Sequence, residues 1–564
     1  MSNTATAPTR ATHASWPALA ARLRNAVASG RSAVVSLLVL VSLACFLPGF
    51  FSIPPIDRDE ARFAQASKQM VETGDFFDIR FQDEARYKKP IGIYWLQAAA
   101  VELSRQGPDA PIWVYRIPSL LGAVASVLLT YWVALPLAGR RAGTLAALFM
   151  ASSVLLGVEA RLAKTDAALL AAILAAMGFL ARAYRGRPIG RLESLLFWTA
   201  IAAGVLLKGP VILLVVGLTA ASLSLWDRSG AWLRALRPLP GAAWALLLVL
   251  PWFAAIGLAS KGAFFSASIG QDLLAKAAGA QESHGAPPGA YLVAFWAIFW
   301  PAAGLALVAA PWVWANRRAP AFRFCLAWAV PAWLLFEAVP TKLPHYVLPV
   351  LPAVSILLAA AFLSGRRPGA LLAGLIAAGG AGLALAGAVI LYVVEHRISA
   401  AALAVSLAAL LALAASARFA VRGPAALYAA SLALGAALLH ASLFGIVAPR
   451  LQNLWISPRL AAAVSRQAAC AAPAVASTGF SEPSLVFLIG TRTALLEPAE
   501  AADFLNRGDA CRVALVEHRR EAEFEARLAR LGRPALLGER VQGLNLNGGR
   551  RLDIGVYRLR DPAG

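Results

Sequence analysis

The segment AVVSLLVLVSLACFLPGFF at residues 33–51, followed by RDEARFAQASKQM at residues 58–70, decides the class of this protein. The first stretch carries no charge, and a membrane-spanning helix needs about 20 such apolar residues. An Arg-containing arm over residues 1–32 precedes it and no small-residue cleavage site follows, so we expect a retained first span. The second stretch has helical spacing and places two carboxylates, Asp59 and Glu60, just outside the membrane.

The composition of the whole chain agrees with a protein that crosses the membrane many times. Its 564 residues are 59% hydrophobic and only 15% charged, with a mean hydropathy of +0.65, which is more apolar surface than a soluble domain of this length can bury. The net charge of +22 comes largely from arginines in short connectors between apolar segments. We therefore expect the membrane surface and anionic lipids as partners, and no nucleic acid.

Thirteen segments are apolar enough to be spans, which predicts a polytopic α-helical membrane protein with about 13 transmembrane helices in residues 33–448. These segments lie near residues 33–51, 113–137, 143–160, 166–184, 193–207, 209–226, 241–259, 290–314, 321–340, 344–363, 370–393, 400–418 and 424–447. The segment 91–103 is also apolar, but it is short and follows Lys88 and Lys89. We expect it to lie in the membrane interface as a helix.

Charge in the connectors predicts the orientation of the spans. Connectors on one side, such as GRRAG, RGRPIGR and NRRAPAFR, carry arginine and almost no acid, as does the arm 1–32. The connectors on the other side, including residues 52–112 and 260–289, carry the carboxylates and histidines. By the positive-inside rule the first set is cytoplasmic and the second faces outward. Counting 91–103 as a span would invert every later loop and remove this bias.

The tail over residues 449–564 has a different character from the apolar segments. APAVAST, RVALVEH and LDIGVYRLR are typical of strands, whereas PAEAADFLNR and REAEFEARLARLG have helical spacing. These patterns predict a soluble α/β domain, which must face outward after an odd number of spans. Cys470 and Cys511 are the cysteines that could pair there, and only in an oxidising compartment, because Cys45 and Cys325 lie inside apolar segments.

Ionisable residues gather in the outward connectors, where Lys and Arg can neutralise phosphate oxygens and a carboxylate can orient an acceptor, accept a proton or hold a divalent cation. A phosphate-containing substrate met by a membrane-buried protein is expected to be a lipid. The predicted catalytic residues are Asp59 and Asp166, the predicted substrate-binding residues are Arg62, Tyr87, Lys88, Lys89, Lys208, Lys276, Lys342 and Tyr346, and the candidate metal ligands are Glu282 and His284. No cofactor is obligatory in this interpretation, and a divalent metal is possible.

Each of these residues also has a structural interpretation. Asp59 and Asp166 both stand where an Asp commonly caps a helix. Lys88 and Lys89 could serve only to anchor the chain to lipid headgroups. His284, among Gly and Pro, could be an ordinary loop residue. The gathering of all of them on one membrane face is what favours a site.

Several of these motifs resemble a known family. RDEARFAQASKQMVETGDFF, RYKKPIGIYW, WVYRIPSLLGAVASVLLTYWVA, EARLAKTDAALLAAILAAM, AQESHGAPP and PTKLPHYVLPVLPAVSIL occur in the order typical of the bacterial aminoarabinose transferases of lipid A. That family belongs to the protein-O-mannosyltransferase superfamily, whose members have the type C glycosyltransferase fold. The resemblance covers about residues 33–365, and the remaining helices and the tail agree with the family in layout.

The resemblance implies a reaction and a role for individual residues. It implies transfer of 4-amino-4-deoxy-L-arabinose from undecaprenyl phosphate to a lipid A phosphate at the periplasmic face of the bacterial inner membrane. Asp59 is similar to the catalytic aspartate of the first loop, and Asp166 to the second acidic residue. The residues that match positions around the carrier phosphate or the cavity are Arg62, Lys89, Lys276 (where the family has Arg), His284 and Tyr346.

Two positions depart from the family pattern. Phe63 stands where related enzymes often have Tyr, and Lys88 where many have Glu, which removes a carboxylate ligand for a metal. Such changes are compatible with another donor sugar, galacturonic acid or mannose, or with a protein acceptor. A lipid flippase or transporter is a further alternative, although transporters place polar residues at the bilayer midplane and often show an inverted repeat, and neither is evident here.

Overall fold

The computed structural model describes residues 30–268, 270, 285–468, 470–507, 511–533, 535–545 and 547–559. Its apolar segments are helical, because a helix satisfies its own backbone hydrogen bonds where no water is available. The helices of the first half are α1 (Arg31–Phe46), α2 (Asp59–Thr73), α3 (Gly92–Ser104), α4 (Ile112–Ser152), α5 (Val154–Glu159), α6 (Asp166–Tyr184), α7 (Arg191–Lys208), α8 (Val211–Asp227) and α9 (Pro238–Ala259), with a 3₁₀ turn at Ala231–Leu236.

The second half of the membrane region continues the helical bundle. Its helices are α10 (Ala263–Phe265), α11 (Ala290–Ile298), α12 (Ala306–Ala315), α13 (Pro320–Ala338), α14 (Leu351–Leu363), α15 (Ala370–Glu395), α16 (Ala400–Arg422), α17 (Ala425–His440) and α18 (Ala448–Arg450). Shorter 3₁₀ segments occur at Ala303–Leu305 and Pro344–Val350, and a π-helical segment at Ala441–Val447. This architecture makes the protein a multi-pass membrane protein.

Each of the thirteen predicted spans coincides with helical structure. Two of them, 113–137 and 143–160, correspond to α4 and the short α5 that follows it. Helix α4 is interrupted at Gly139, where φ is 78° and ψ is 178°; glycine is the residue that adopts such a conformation without strain. A third corresponds to α11 together with Ala303–Ala315, bent by 120°. By length and apolarity, eight helices of the described residues can cross a membrane, or nine if the bent pair is one span. The count of thirteen stays a prediction.

Burial separates the central helices from the peripheral ones. The segment Pro344–Leu363 and helix α6 are mostly buried, whereas α9 and α15 are mostly exposed. Leu239, Leu371 and Leu385 are exposed on these outer helices. Apolar side chains of this kind face lipid in a membrane, so the packed centre of the bundle lies around α4, α6 and α14.

The loop after α1 forms a compact layer at one end of the bundle. Helix α2 ends at Gly74, with a φ of 72°, and strands β1 (Arg80–Phe81) and β2 (Glu84–Ala85) pair antiparallel after it. Helix α3 then packs closely on α7, since a Cβ atom at Gly92 would lie 2.8 Å from the backbone of Leu206. A helix over 91–103 is therefore confirmed, while its position in the membrane interface stays a prediction.

The predicted C-terminal α/β domain is confirmed. Its elements are α19 (Ile456–Gln467), β3 (Ala474–Thr478), α20 (Pro483–Ile489), β4 (Ala494–Leu495), α21 (Pro498–Asn506), β5 (Arg512–Glu517), α22 (His518–Arg530), β6 (Ala535–Leu544) and β7 (Arg551–Leu559). The sheet has the order β4-β3-β5-β7-β6, parallel among β4, β3 and β5 and antiparallel on either side of β7. Cys470 and Cys511 form a disulfide with their Cα atoms 5.7 Å apart.

Candidate active site

A cavity of about 320 Å³ lies where the first loop meets the ends of α6, α7 and the Pro344–Val350 turn. Seven of its lining residues are Lys or Arg and four are Asp or Glu. The ionisable lining residues are Asp57, Arg58, Asp59, Glu60, Arg62, Arg86, Lys88, Lys89, Lys164, Asp166, Lys208 and His345. They come from four separate parts of the membrane domain, and Asn547 of the C-terminal domain completes the wall.

Asp166 is a carboxylate of the cavity that lies between two lysines. It is the first residue of α6 and is 4% exposed. One carboxylate oxygen lies 2.5 Å from the Lys208 ammonium, and the other lies 3.9 Å from that of Lys164. The predicted alternative, a helix cap, is not what the side chain does, because Thr165 occupies the cap position of α6 and the Asp166 carboxylate pairs with two lysines.

Glu159 and His345 extend this cluster deeper into the protein. Lys164 Nζ donates to Glu159 Oε1 at 3.2 Å, and the His345 ring lies between the two carboxylates, 3.8 Å from Glu159 and 3.9 Å from Asp166. Burial opposes the positive charge of Lys164, but the carboxylates of Glu159, Asp166 and Asp59 together raise its pKa above the usual value. Lys164 therefore stays protonated, and its ammonium interacts with the carboxylates of Glu159, Asp166 and Asp59.

Glu159, Asp166 and His345 also have the spacing of a metal site. Their ligand atoms lie within 4.8 Å of one another, and they are the one such group among the described residues. However, Lys164 and Lys208 already pair with the two carboxylates. A divalent cation would have to displace both ammonium groups, so this donor set fits an ion-pair cluster better than a metal. The predicted ligands Glu282 and His284 lie outside the described residues.

Asp59 faces the same cavity from the first loop. It is the first residue of α2, and the cap position before it is occupied by Arg58, which has a φ of 66°. The Asp59 side chain is therefore not used as a cap. It lines the cavity, close enough to Lys164 to contribute to that residue's raised pKa.

A buried ion pair between Glu60 and Arg116 holds the first loop in place. Arg116 Nε and Nη2 donate to the two carboxylate oxygens at 2.7 and 2.9 Å. The same carboxylate accepts from the backbone N–H groups of Ile56 and Ala163, at 2.8 and 2.9 Å. Glu60 thus ties the loop before α2 to the loop before α6, which sets Asp59 opposite Lys164 and Asp166.

The other basic lining residues, which we call the cationic wall, are Arg62, Arg86, Lys88, Lys89 and Lys208. The Arg86 guanidinium lies 4.9 Å from the centre of the Phe63 ring, and the Lys208 ammonium lies 5.4 Å from that of Tyr346. These aromatic contacts hold the basic groups in fixed positions. Arg62, Lys88 and Lys89 line the cavity beside them. A site with this excess of positive charge suits a phosphate group.

The C-terminal domain contributes directly to the cavity. Asn547 donates its amide N–H to Glu482 at 2.7 Å while lining the cavity. Asp57 accepts a hydrogen bond from the backbone of Ser484 at 3.2 Å. Burial raises the pKa of Asp57 to about 6, with the Ser484 hydrogen bonds opposing the shift and the Glu482 carboxylate adding to it.

The predicted site residues divide into three groups. The cavity brings together Asp59, Arg62, Lys88, Lys89, Asp166, Lys208 and Tyr346. Two residues lie elsewhere: Tyr87 donates to Asp78 at 2.9 Å, and the Lys342 ammonium donates to the carbonyls of Glu337 and Val339. Lys276, Glu282 and His284 lie outside the described residues.

Several residues of the site were not among the predicted ones. Arg116 carried a usable signal, because it is a charge inside an otherwise apolar segment, where an ionisable residue needs a partner. Glu159 belongs to the motif EARLAKTDA and His345 to PTKLPHY. That the two side chains lie beside each other is visible only in the structure. Asp57 and Asn547 carried no signal, since one stands in an ordinary loop and the other far away in the tail.

Comparisons with known proteins support the fold. A family model described as dolichyl-phosphate-mannose-protein mannosyltransferase matches residues 88–254. Undecaprenyl phosphate-alpha-4-amino-4-deoxy-L-arabinose arabinosyl transferase of Erwinia tasmaniensis is 28% identical over 306 residues, which cover 53% of this chain and 54% of the relative. The enzyme of the same name from Pseudomonas aeruginosa (strain LESB58) is 28% identical over 339 residues, 58% of this chain and 60% of the relative. The matched parts thus span between half and two thirds of these relatives.

A solved structure extends the similarity to almost the whole chain. The crystal structure of ArnT from Cupriavidus metallidurans bound to undecaprenyl phosphate matches with a TM-score of 0.71 and 18% identity, covering 93% of this chain and 98% of that one. This likeness includes the C-terminal domain and confirms the predicted architecture. The chain therefore has the type C glycosyltransferase fold and is similar, over somewhat more than half of its length, to the undecaprenyl phosphate-aminoarabinose arabinosyl transferases.

Proposed function

We propose that this protein is a membrane glycosyltransferase that moves 4-amino-4-deoxy-L-arabinose from undecaprenyl phosphate to a phosphate of lipid A. The relatives from Erwinia tasmaniensis and Pseudomonas aeruginosa are named for that donor, and the similar crystal structure contains undecaprenyl phosphate. The single observation that carries the proposal is the cavity that places Asp59 and Asp166 among seven basic residues at one end of the helical bundle.

The cationic wall has a clear role in this reaction. The bond between the anomeric carbon and the carrier phosphate oxygen breaks, and its electron pair stays on the departing undecaprenyl phosphate. Positively charged groups fixed around that phosphate stabilise the negative charge as it develops. Arg62, Arg86, Lys88 and Lys89 line the cavity and supply such groups.

The carboxylates have a different task. A phosphate oxygen of the acceptor attacks the anomeric carbon and forms the new bond, and this oxygen is already anionic, so a strong general base is unnecessary. We assign Asp59 to orient the incoming acceptor or the amino group of the sugar. Asp166 holds Lys208 and Lys164 in position through the ion pairs already described.

The location of the site at the periplasmic face of the bacterial inner membrane is part of the proposal. It rests on the arginine-rich connectors at the opposite ends of the same helices. The disulfide between Cys470 and Cys511 supports it, because disulfides persist in oxidising compartments such as the periplasm.

Mass spectrometry of lipid A tests the proposal. Cells that lack the gene would be compared with cells that express the wild-type protein, Asp59→Asn or Asp83→Asn. Asp83 is an exposed carboxylate in the same loop, so its variant is a matched control. We expect a mass gain of one pentosamine with the wild type and Asp83→Asn, and no gain with Asp59→Asn at equal membrane levels of protein.

Other outcomes distinguish the alternatives. A gain of one hexuronic acid or hexose would keep the enzyme class and replace the donor sugar. Unchanged lipid A together with altered glycoproteins would replace the lipid acceptor by a protein. Full activity of Asp59→Asn would remove Asp59 from the catalytic machinery.

A further inference from the structure

A second cavity, of about 450 Å³, lies at the other end of the bundle. The segment Pro344–Leu363 connects the two cavities, since His345 and Tyr346 line the first one, and Ile356, Leu357 and Ala360 line the second. A helical segment of about 20 residues is long enough to cross a bilayer. The two cavities therefore belong to opposite faces of the membrane, and the second is separate from the proposed active site.

The second cavity is an apolar slot between helices with polar groups at its mouth. Trp312 and Phe322, in edge contact with ring centres 5.0 Å apart, form one wall, and Leu357 and Ala360 belong to another. Its polar lining residues include Arg141 and Ser364, both exposed. A slot of this size and character can take an apolar chain.

The charge around the mouth is strongly positive. Connectors GRRAG and GRRPG, which adjoin the slot, contain no acid, and none of the described lining residues is acidic. Asp227, at the end of α8, pairs with Arg323. The neighbouring Arg140 donates to the backbone carbonyl of Gly30. No ion pair occupies Arg141 within the described part of the chain, so its guanidinium is available to a ligand at the mouth.

We propose that this slot binds an anionic glycerophospholipid, with one acyl chain between Trp312 and Leu357 and the phosphate at Arg141. The inference is independent of the proposed sugar transfer. It rests on the combination of an apolar slot, an arginine at its mouth and helices that lie in a bilayer. Basic pockets between membrane helices on the arginine-rich side are the places where anionic lipids bind. A zwitterionic lipid offers the same chains but no net negative charge, and it gains less from Arg141.

Native mass spectrometry of the full-length protein tests this proposal. The protein in mild detergent would be titrated with phosphatidylglycerol and, separately, with phosphatidylcholine of the same acyl chains. We expect tighter binding of phosphatidylglycerol. Arg141→Gln should weaken that binding about fivefold, which is the effect of one basic residue near an anionic lipid, and weaken phosphatidylcholine binding less.

Two further variants complete the design. Ala360→Leu fills the slot and should weaken both lipids, while its melting temperature reports whether the bundle still packs. Arg187→Gln removes an exposed arginine from another connector on the same face, away from the slot, and should bind like the wild type. Equal affinity for both lipids, or equal effects of Arg141→Gln and Arg187→Gln, would overturn the proposal.

Discussion

Arg116 and Glu60 form a two-point ion pair in which both side chains are almost completely buried. The guanidinium also donates to the carbonyls of Phe50 and Ile53, at 3.1 and 2.7 Å, and so satisfies groups of the loop that follows α1. The partners of this pair come from the loop after α1 and from the loop before α6, which together frame the cavity. The pair is best understood as the element that fixes Asp59 relative to α6.

Removal of Arg116 is expected to destabilise the protein strongly. Arg116→Leu would leave the Glu60 carboxylate buried without a cation, and breaking such a pair costs about 3–5 kcal/mol. The melting temperature in detergent measures the effect. Arg80→Gln, which breaks an exposed pair with Asp78, is the matched control and should change stability by less than about 1 kcal/mol. A similar small change for Arg116→Leu would contradict this structural role.

A feature could be predicted from the sequence when neighbouring residues alone determine it, and could not when it depends on contacts between distant parts of the chain. Spans could be predicted because about 20 apolar residues in a row are sufficient for a membrane helix. That Asp59, Asp166 and Lys208 line one cavity could be expected, because each stands at a helix end in a connector that the charge bias assigns to the same side. Asn547 could not, since its place in the cavity depends on the docking of a domain that is distant in the sequence.

The direction of a single side chain is a different problem, and Lys342 illustrates it. The sequence places this lysine in a motif beside Tyr346, which does line the cavity. Lys342 instead lies just after the end of α13, where unpaired carbonyl groups attract a cation. Only the structure shows that the side chain contacts the carbonyl groups at the helix end and does not line the cavity.

This contact gives a prediction for Lys342→Met. The ammonium donates to two carbonyl oxygens, at 2.9 and 2.6 Å, so its loss should reduce stability by about 1–2 kcal/mol. The KM for the lipid-linked donor should stay within about twofold of the wild type, because the ammonium does not line the cavity. Steady-state kinetics and thermal unfolding of the same sample separate the two effects. A large rise in KM without loss of stability would return Lys342 to the binding site.

Asp57 should make stability depend on pH. Its pKa in the folded protein is raised to about 6, mainly by burial, compared with about 3.9 in an unfolded chain. The folded state therefore binds more protons than the unfolded state between pH 4 and 6. Protonated Asp57 therefore favours the folded state. This contribution to the free energy of unfolding is at most about 3 kcal/mol; it is fully present below pH 4 and is lost as the pH rises through 6.

Thermal unfolding of wild type and Asp57→Asn from pH 4 to 7 measures this contribution. Asparagine keeps an oxygen that can accept from the backbone of Ser484 but has no charge to bury. The variant should lose this part of the pH dependence and melt at a higher temperature than the wild type at pH 7. Parallel curves for the two proteins would show that Asp57 is ionised at little cost in the folded state.

Lys208 gives the most direct test of the cationic cavity. Its ammonium is held by Asp166 and by the ring of Tyr346, so it is already in place when a substrate arrives. The loss of one preorganised group of this kind lowers kcat by about 10²–10³-fold in other enzymes. We expect Lys208→Met to lower the rate of sugar transfer by about 10²-fold, while Lys261→Met, an exposed lysine in the connector after α9, has no effect.

Lys208→Met also leaves Asp166 without its nearest cation, so the double variant Lys208→Met with Asp166→Asn should regain thermal stability but not activity. Recovery of activity in the double variant would mean that Lys208 serves only to neutralise Asp166.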